Sequence, residues 1–247
     1  MELILAILFW AGAIGVFYTY LFYPLLLHIL ARGKQVNTVV FEKEEEWPLV
    51  SILLSVYNEE KVIREKLDSL CQLEYPDGHL HIFIGSDCSS DQTNDIVASY
   101  AQQYPNIHFF PFQDRNGKPG VINRLYDESM AVGDGSQNHV LVITDASVMM
   151  SAGSLKEMVK HFKNPDIGLV DSRIIHTGMQ KAGISQSEDT YISREFHLKH
   201  LEGLIWGKMI GPFGGCYSIR AKYFSKVPSN FLVDDFYITM IDLINIL

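Results

Sequence analysis

The chain has 247 residues, 47% of them apolar and 20% charged, a balance that excludes a disordered, collagenous or coiled-coil protein. Residues 1–31 carry one formal charge, Glu2, so the net charge of −9 falls almost wholly on the remainder; an acidic domain of this kind lacks the basic face of a nucleic-acid binder. Cys71, Cys88 and Cys216 show no CxxC spacing and give neither a disulfide framework nor a zinc knuckle, which fits reduced thiols in a cytosolic compartment.

Residues 3–31 read LILAILFWAGAIGVFYTYLFYPLLLHILA. A helix needs roughly 20 apolar residues to cross a bilayer, and this run exceeds that, with Pro24 placed to kink it near its end. A cleaved signal peptide expects a basic start and a shorter apolar core; here the start is acidic and Arg32 and Lys34 follow the run. The expectation is an uncleaved, single-pass anchor over residues 1–32 in the plasma membrane. Basic residues just after the span put the following domain in the cytoplasm. Residues 33–47, with Glu42, Glu44, Glu45 and Glu46, read as an acidic, solvated linker.

From residue 48 to 247 strand and helix signals alternate. LVSILLSV at 49–56 is a near-continuous apolar run, as expected of a strand buried on both faces. Asn58 then reads as a helix cap, with Glu59 and Glu60 in the favourable first turn and Ile63, Leu67 and Leu70 as the buried face. Tyr75-Pro76-Asp77-Gly78 is a turn. Strands are expected at 80–85, 107–112, 140–144 and 167–175, and helices at 91–103, 120–130, 154–162 and 187–204. This order predicts an α/β domain with a mostly parallel sheet, whose ligands sit beyond the carboxyl ends of the strands.

Carboxylates stand at three of those ends: Glu59 and Glu60 after the first strand, Asp87 and Asp91 after the second, Asp145 after the fourth. Facing one crevice they would repel one another unless hydrogen-bonded or bridged by a cation. Asp91, Ser89 and Ser90 read as cap and turn residues; Asp87 and Asp145, each directly following a buried strand, read as functional. Nucleotide motifs of other kinds fail on context. Gly133-Asp134-Gly135 has Asn138 in the third glycine position and precedes a strand, and Gly117-Lys118 lacks the upstream glycine and following Ser/Thr of a P-loop. Lys118, in a flexible Asn116–Gly120 loop, is either a phosphate ligand or a solvated lysine.

The series VSILLSVYNEEKVIREKLDSL, YP, IFIGSDCSSDQT, GKPGVIN, ITDAS, GPFGGCYSIR and VDDF, in this order and spacing, resembles the inverting family-2 glycosyltransferases of GT-A fold, in their membrane-anchored bacterial branch. The resemblance implies a role for each matching residue. Tyr57 and Glu59 would line the base and ribose, Asp87 would recognise uracil, and Lys118 would lie near the nucleotide. Asp145 would hold Mg²⁺ or Mn²⁺ against the diphosphate, with Ser147 in the second position of a D-x-D motif. Gly214 and Gly215 would border the acceptor, and Asp235, next to Asp234, would be the catalytic base. The implied reaction moves a sugar from a UDP-sugar to a lipid-linked or surface-glycan acceptor with inversion.

The chemistry of the residue types agrees. A hard cation held by few carboxylates and by phosphate oxygens offsets the charge of a departing diphosphate, and an acceptor hydroxyl needs a carboxylate to take its proton. Ser147 in place of an aspartate is a weaker ligand. The sequence ends 12 residues after Asp235, where the family continues, so the resemblance implies a catalytic domain incomplete at its C-terminus. The rival expectation is a non-catalytic membrane protein that binds a nucleotide sugar or a partner subunit. A nucleotidyltransferase would need a basic, glycine-rich loop where acidic Tyr57-Asn58-Glu59-Glu60 stands. His197 and His200, Trp206, Arg220 and Cys216 read as secondary candidates, for metal, acceptor stacking, strand anchoring and packing.

Overall fold

The computed structural model describes all residues except 43–44, 133–137, 176–183, 210, 229–230, 232–233 and 246–247; the side chains of 184–191 and 241–245 also lie outside the description. Gly133-Asp134-Gly135 and Glu44 fall among the undescribed residues. The chain forms two compact units, Met1–Val36 with Ile175–Ile210, and Asn37–Ile174 with Gly211–Leu247. The stretch expected as one domain from residue 48 onward is thus interrupted by a segment that groups with the N-terminus.

In the first unit, α1 (Glu2–Phe17), a π-helical turn (Tyr18–Phe22) and α2 (Tyr23–Leu30) run on as one helix. It is 29 residues long and contains an 18-residue stretch of mean hydropathy 2.0, enough in length and composition to cross a membrane. Pro24 has no N–H to give the carbonyl of Tyr20 four residues back, and the ladder widens just before it. The freed Tyr20 oxygen accepts instead from the guanidinium of Arg194. Arg194 belongs to the long helix Ile184–Trp206 (α7 in chain order), which also receives a hydrogen bond from Tyr23 Oη to Glu202 Oε1 at 2.6 Å.

The second unit holds β1 (Leu49–Val56), α3 (Ile63–Cys71), β2 (Leu80–Asp87), α4 (Thr93–Gln103), β3 (Ile107–Phe112), α5 (Gly117–Val132) and β4 (His139–Thr144). These are followed by α6 (Ser154–Val159), β5 (Leu169–Asp171), β6 (Cys216–Arg220) and α8 (Asp234–Asn245). The sheet order is β3-β2-β1-β4-β6-β5; β1 to β4 are parallel and β6 runs against both β4 and β5. The expected mostly parallel α/β architecture is what the chain adopts. Strand β1 is central and buried on both faces: Ile52 and Leu54 pack in one cluster with Leu67, Ile96 and Leu155, while Leu53 packs in the other with Val121, Leu125 and Ile238. In register, Val56 lies beside Ser86 and Leu54 beside Thr144. That alignment brings the residues following β1, the end of β2 and the residues following β4 to one edge of the sheet.

Several local expectations change. Asn58 is not a helix cap: it sits at φ 53°, in the left-handed region that asparagine tolerates, and α3 starts only at Ile63. Helix α5 starts at Gly117 rather than Gly120, because its first turn accepts Pro119 and its leading N–H groups find an acceptor on another strand. The stretch 116–120 is therefore a helix start and not a loose loop. The expected strand 167–175 pairs only over Leu169–Asp171, after which the Asp171 carboxylate turns to accept Ser172 N and Phe213 N. The segment before β1 is not simply a solvated linker: Trp47 is buried with Phe41 beside it, and Lys163 pairs with Glu45 at 2.6 Å.

Candidate active site

The loops after β1 and β2 are laced together by groups that the sequence spaces about thirty residues apart. Asn58 N donates to Ser89 Oγ, Glu59 N to Thr93 Oγ1 at 2.8 Å, and Glu60 N to Asp91 Oδ2. In return Ser90 N donates to Asn58 Oδ1 and Gln92 N to Glu60 Oε2. Asp91 also accepts Thr93 N, so it caps α4 and braces the neighbouring loop. Fixed backbones on both loops leave Tyr57 exposed at the rim.

Asp87 closes β2 and is 2% exposed. Its carboxylate accepts three donors from the start of α5: Asn116 N at 2.6 Å, Gly117 N at 3.0 Å and Arg115 Nε at 3.0 Å. A carboxylate at a helix N-terminus satisfies N–H groups that the helix itself cannot. The Arg115 guanidinium lies 3.4 Å above the centre of the Tyr57 ring, a cation–π contact. Tyr57, Asp87 and Arg115 therefore form one cluster.

One residue further along, Lys118 points the other way. Its Nζ is 2.7 Å from Asp145 Oδ1 and 3.8 Å from Asp234 Oδ2. Burial pulls the Lys118 ammonium down, but the carboxylates of Asp234 and Asp145 outweigh it and hold its pKa above the usual lysine value. Asp234, at the N-terminus of α8, is 5% exposed, and among the described residues none donates a hydrogen bond to its Oδ2. Burial raises its pKa, and neighbouring Asp235 and Asp145 add to the rise while Lys118 opposes it. Glu59 is also raised, by burial and then by the charges of Asp145 and Asp91, which ties the first loop to the same acidic centre.

Asp235 takes a different position. Its Oδ1 accepts Phe236 N at 2.7 Å, and its Oδ2 lies against Gly214, where an added Cβ would collide with it. The neighbouring Gly215 carbonyl accepts Asp145 N at 2.9 Å. The Gly-rich loop thus connects the two acids, and Asp171 holds that loop at Phe213 N.

Beneath Asp145 lies a residue the sequence reading passed over. Lys66, 0% exposed, donates to Thr144 Oγ1 at 2.9 Å and to the Val148 carbonyl, bracketing the turn that presents Asp145. Burial lowers its pKa to about 8. Its signal was available: Lys66 occupies the same helical stripe as Ile63, Leu67 and Leu70. Arg115 was also missed, and nothing local marks it, since its partners come from β2 and the end of β1. Among the expected residues, Ser147 is exposed at the turn. Arg220 anchors the end of β6 by donating to the carbonyls of Phe162, Asn164 and Ile167, and Cys216 is a buried packing residue. His197 contacts His28 at 3.1 Å; among the described residues no three His, Cys, Asp or Glu gather as a metal cluster. Trp206 belongs to the first unit and is 52% exposed.

Residues 51–227 match the family described as Glycosyl transferase family 2. The chain is 31% identical over 134 residues to a Beta-monoglucosyldiacylglycerol synthase of Trichormus variabilis, a match covering 53% of this chain and 27% of that relative. Among solved structures it resembles the mannosyltransferase PcManGT of Pyrobaculum calidifontis, determined with GDP-Man and Mn²⁺, at TM-score 0.70 and 22% identity over 92% of this chain and 61% of that one. It also resembles S. aureus TarS 1-349 in complex with UDP, at TM-score 0.51 and 19% identity over 78% of this chain and 54% of that one. These structural likenesses show the GT-A fold. Because the family match extends over well more than half of the sequence, the chain belongs to glycosyl transferase family 2.

Proposed function

We propose that the chain transfers a sugar from a UDP-sugar, with inversion and with help from a divalent cation, to a lipid-linked or surface-glycan acceptor at the membrane. The observation that carries this reading is the first turn of α5. Consecutive residues there engage Asp87 on one side and, through Lys118, Asp145 and Asp234 on the other. A single rigid turn thereby links a planar-group site to an anion-handling site, the two ends of a nucleotide sugar.

At the base end, Asp87 uses three of about four acceptor positions on its carboxylate. The one left suits a pyrimidine ring N–H, with Tyr57 and Arg115 supplying flat faces for the base. Lys118 carries the positive charge for the diphosphate. The residues fit a hard cation: Asp145 is a partly exposed carboxylate, and Asp234 presents a buried oxygen without a hydrogen-bond donor. Bound there, Mg²⁺ or Mn²⁺ supplies charge neutralisation for the leaving diphosphate. Asp235 is the base. Phe236 N fixes its Oδ1 and leaves Oδ2, beside Gly214, to take the proton of the acceptor hydroxyl as that oxygen attacks the anomeric carbon.

The TarS structure solved with UDP supports the donor class, PcManGT solved with Mn²⁺ supports the cation, and the diacylglycerol-glycosylating relative supports a lipid acceptor. The apolar helix Glu2–Leu30 and the basic residues after it support placing transfer at the inner face of the plasma membrane. The test is to supply membranes containing the full chain with a panel of UDP-sugars and measure UDP release with and without Mn²⁺. Release from one donor, dependent on the cation, is expected. UDP binding with no release from any donor would replace transfer with nucleotide-sugar binding.

A further inference from the structure

The D-x-D position of this chain is short of one carboxylate, since Ser147 stands where an aspartate would bring a second charge. The fold offers another acid in its place. Asp234, 89 residues beyond Asp145 in the sequence, has its Oδ2 buried, without a hydrogen-bond donor among the described residues, and directed at the same ammonium that Asp145 binds. Most of its side-chain surface is covered, with 8% exposed. An ionised oxygen left without a hydrogen bond in so buried a place is costly. Lys118 at 3.8 Å relieves it only as a charge, being beyond hydrogen-bond distance. At Asp145 the same lysine makes a full 2.7 Å contact.

We infer that Asp145 and Asp234 together form the cation site, and that Lys118 is an internal cation standing between them until a divalent ion with the donor's phosphates displaces it. The inference rests on the proposed transferase reading and names the carboxylate that stands in for the one Ser147 lacks. A hard cation needs no more protein than this: Mg²⁺ and Mn²⁺ sites commonly use one or two carboxylates, with phosphate oxygens and water completing the shell. Lys118 is free to exchange partners because its side chain is 35% exposed and emerges from the first turn of α5. Asp235 is outside the set: its Oδ1 accepts Phe236 N, its Oδ2 faces Gly214, and among the described ion pairs Lys118 meets Asp145 and Asp234 rather than Asp235. Asp234 and Asp235, adjacent in sequence, thus divide between holding the ion and taking the proton.

The two roles of Lys118 predict opposite signs, which separates this arrangement from a structural one. Mn²⁺ alone is titrated into the full-length protein and the free ion is followed by electron paramagnetic resonance. UDP is titrated separately in saturating Mn²⁺. Asp234→Asn is expected to weaken Mn²⁺ binding about tenfold or more. Lys118→Gln, which changes a partly exposed side chain and so reads even if the buried substitution impairs folding, is expected to tighten Mn²⁺ about tenfold and to weaken UDP. Wild-type Mn²⁺ affinity in Asp234→Asn, or unchanged or weaker Mn²⁺ binding in Lys118→Gln, overturns the inference. Failure of the wild type to bind UDP would instead count against the transferase reading, while the Mn²⁺ comparison would still decide the site.

Discussion

Replacing Asp87 by asparagine isolates the role of the most buried acid in the cleft. The substitution keeps the shape and exchanges one carboxylate oxygen for an amino group. If the remaining oxygen keeps Asn116 N, the new NH₂ faces Arg115 Nε and Gly117 N, two donors that now have no acceptor. Hydrogen bonds to a charged partner contribute roughly 1.5–3 kcal/mol each. Arg115 is 53% exposed and can turn to water, so its share is discounted, while Gly117 N is fixed at the helix start. The expected loss is about 2–4 kcal/mol of unfolding free energy, read by urea titration or thermal shift of the whole chain. UDP affinity should fall with it, because the Arg115–Lys118 turn positions both ends of the site. A variant within about 0.5 kcal/mol of wild type would refute the claim that Asp87 organises this turn.

Four further outcomes are expected. Gly214→Ala drives a methyl into the Asp235 carboxylate and should cut transfer by about a hundredfold in a UDP-release assay with little change in UDP affinity; undiminished turnover would contradict the placement of the base. Burial lowers the pKa of His139 to about 4, below its unfolded value near 6.5. The unfolded chain therefore binds the extra proton first, and stability is lost as pH falls from about 6.5 toward 4, by roughly 3 kcal/mol at most. His139→Gln should show a shallower acid loss in urea titrations over that range, and an identical slope would exclude His139 as its source. Arg115→Ala should weaken UDP binding about tenfold by calorimetry, without altering Mn²⁺ binding; equal loss of both would place Arg115 elsewhere in the mechanism. In the first unit, Arg194→Ala leaves the Tyr20 carbonyl without Pro24's missing N–H or the guanidinium, and should raise protease cleavage within 184–206, where unchanged cleavage would show the contact to be dispensable.

What the sequence made legible was carried by local patterns, and what it hid was carried by contacts between distant segments. The buried runs of β1, β2 and β4 read directly as strands because each is apolar on both faces, and their order implied where the acids would emerge. The start of α3 was misplaced because Asn58 to Glu60 answer to Ser89, Thr93 and Asp91 rather than to their own helix. The start of α5 was misplaced for the same reason, its capping carboxylate being Asp87 on another strand. Strand β6 follows a glycine-rich loop and is five residues long, too short for its alternation to stand out. Lys66 was readable as a lysine on an apolar stripe, yet its purpose needs the Thr144–Val148 turn to be seen above it. Asp234 and Asp235 were recognisable as a pair by family resemblance alone; only the fold turns one toward Lys118 and the other toward Gly214.

The account as a whole divides binding from chemistry along one cleft, and Asp235→Asn tests that division most directly. UDP affinity in Mn²⁺ and sugar transfer are measured on the same preparation. The account predicts transfer lowered by about a thousandfold or more with UDP affinity within about twofold of wild type. Parallel loss of both, or transfer that survives the substitution, would contradict it.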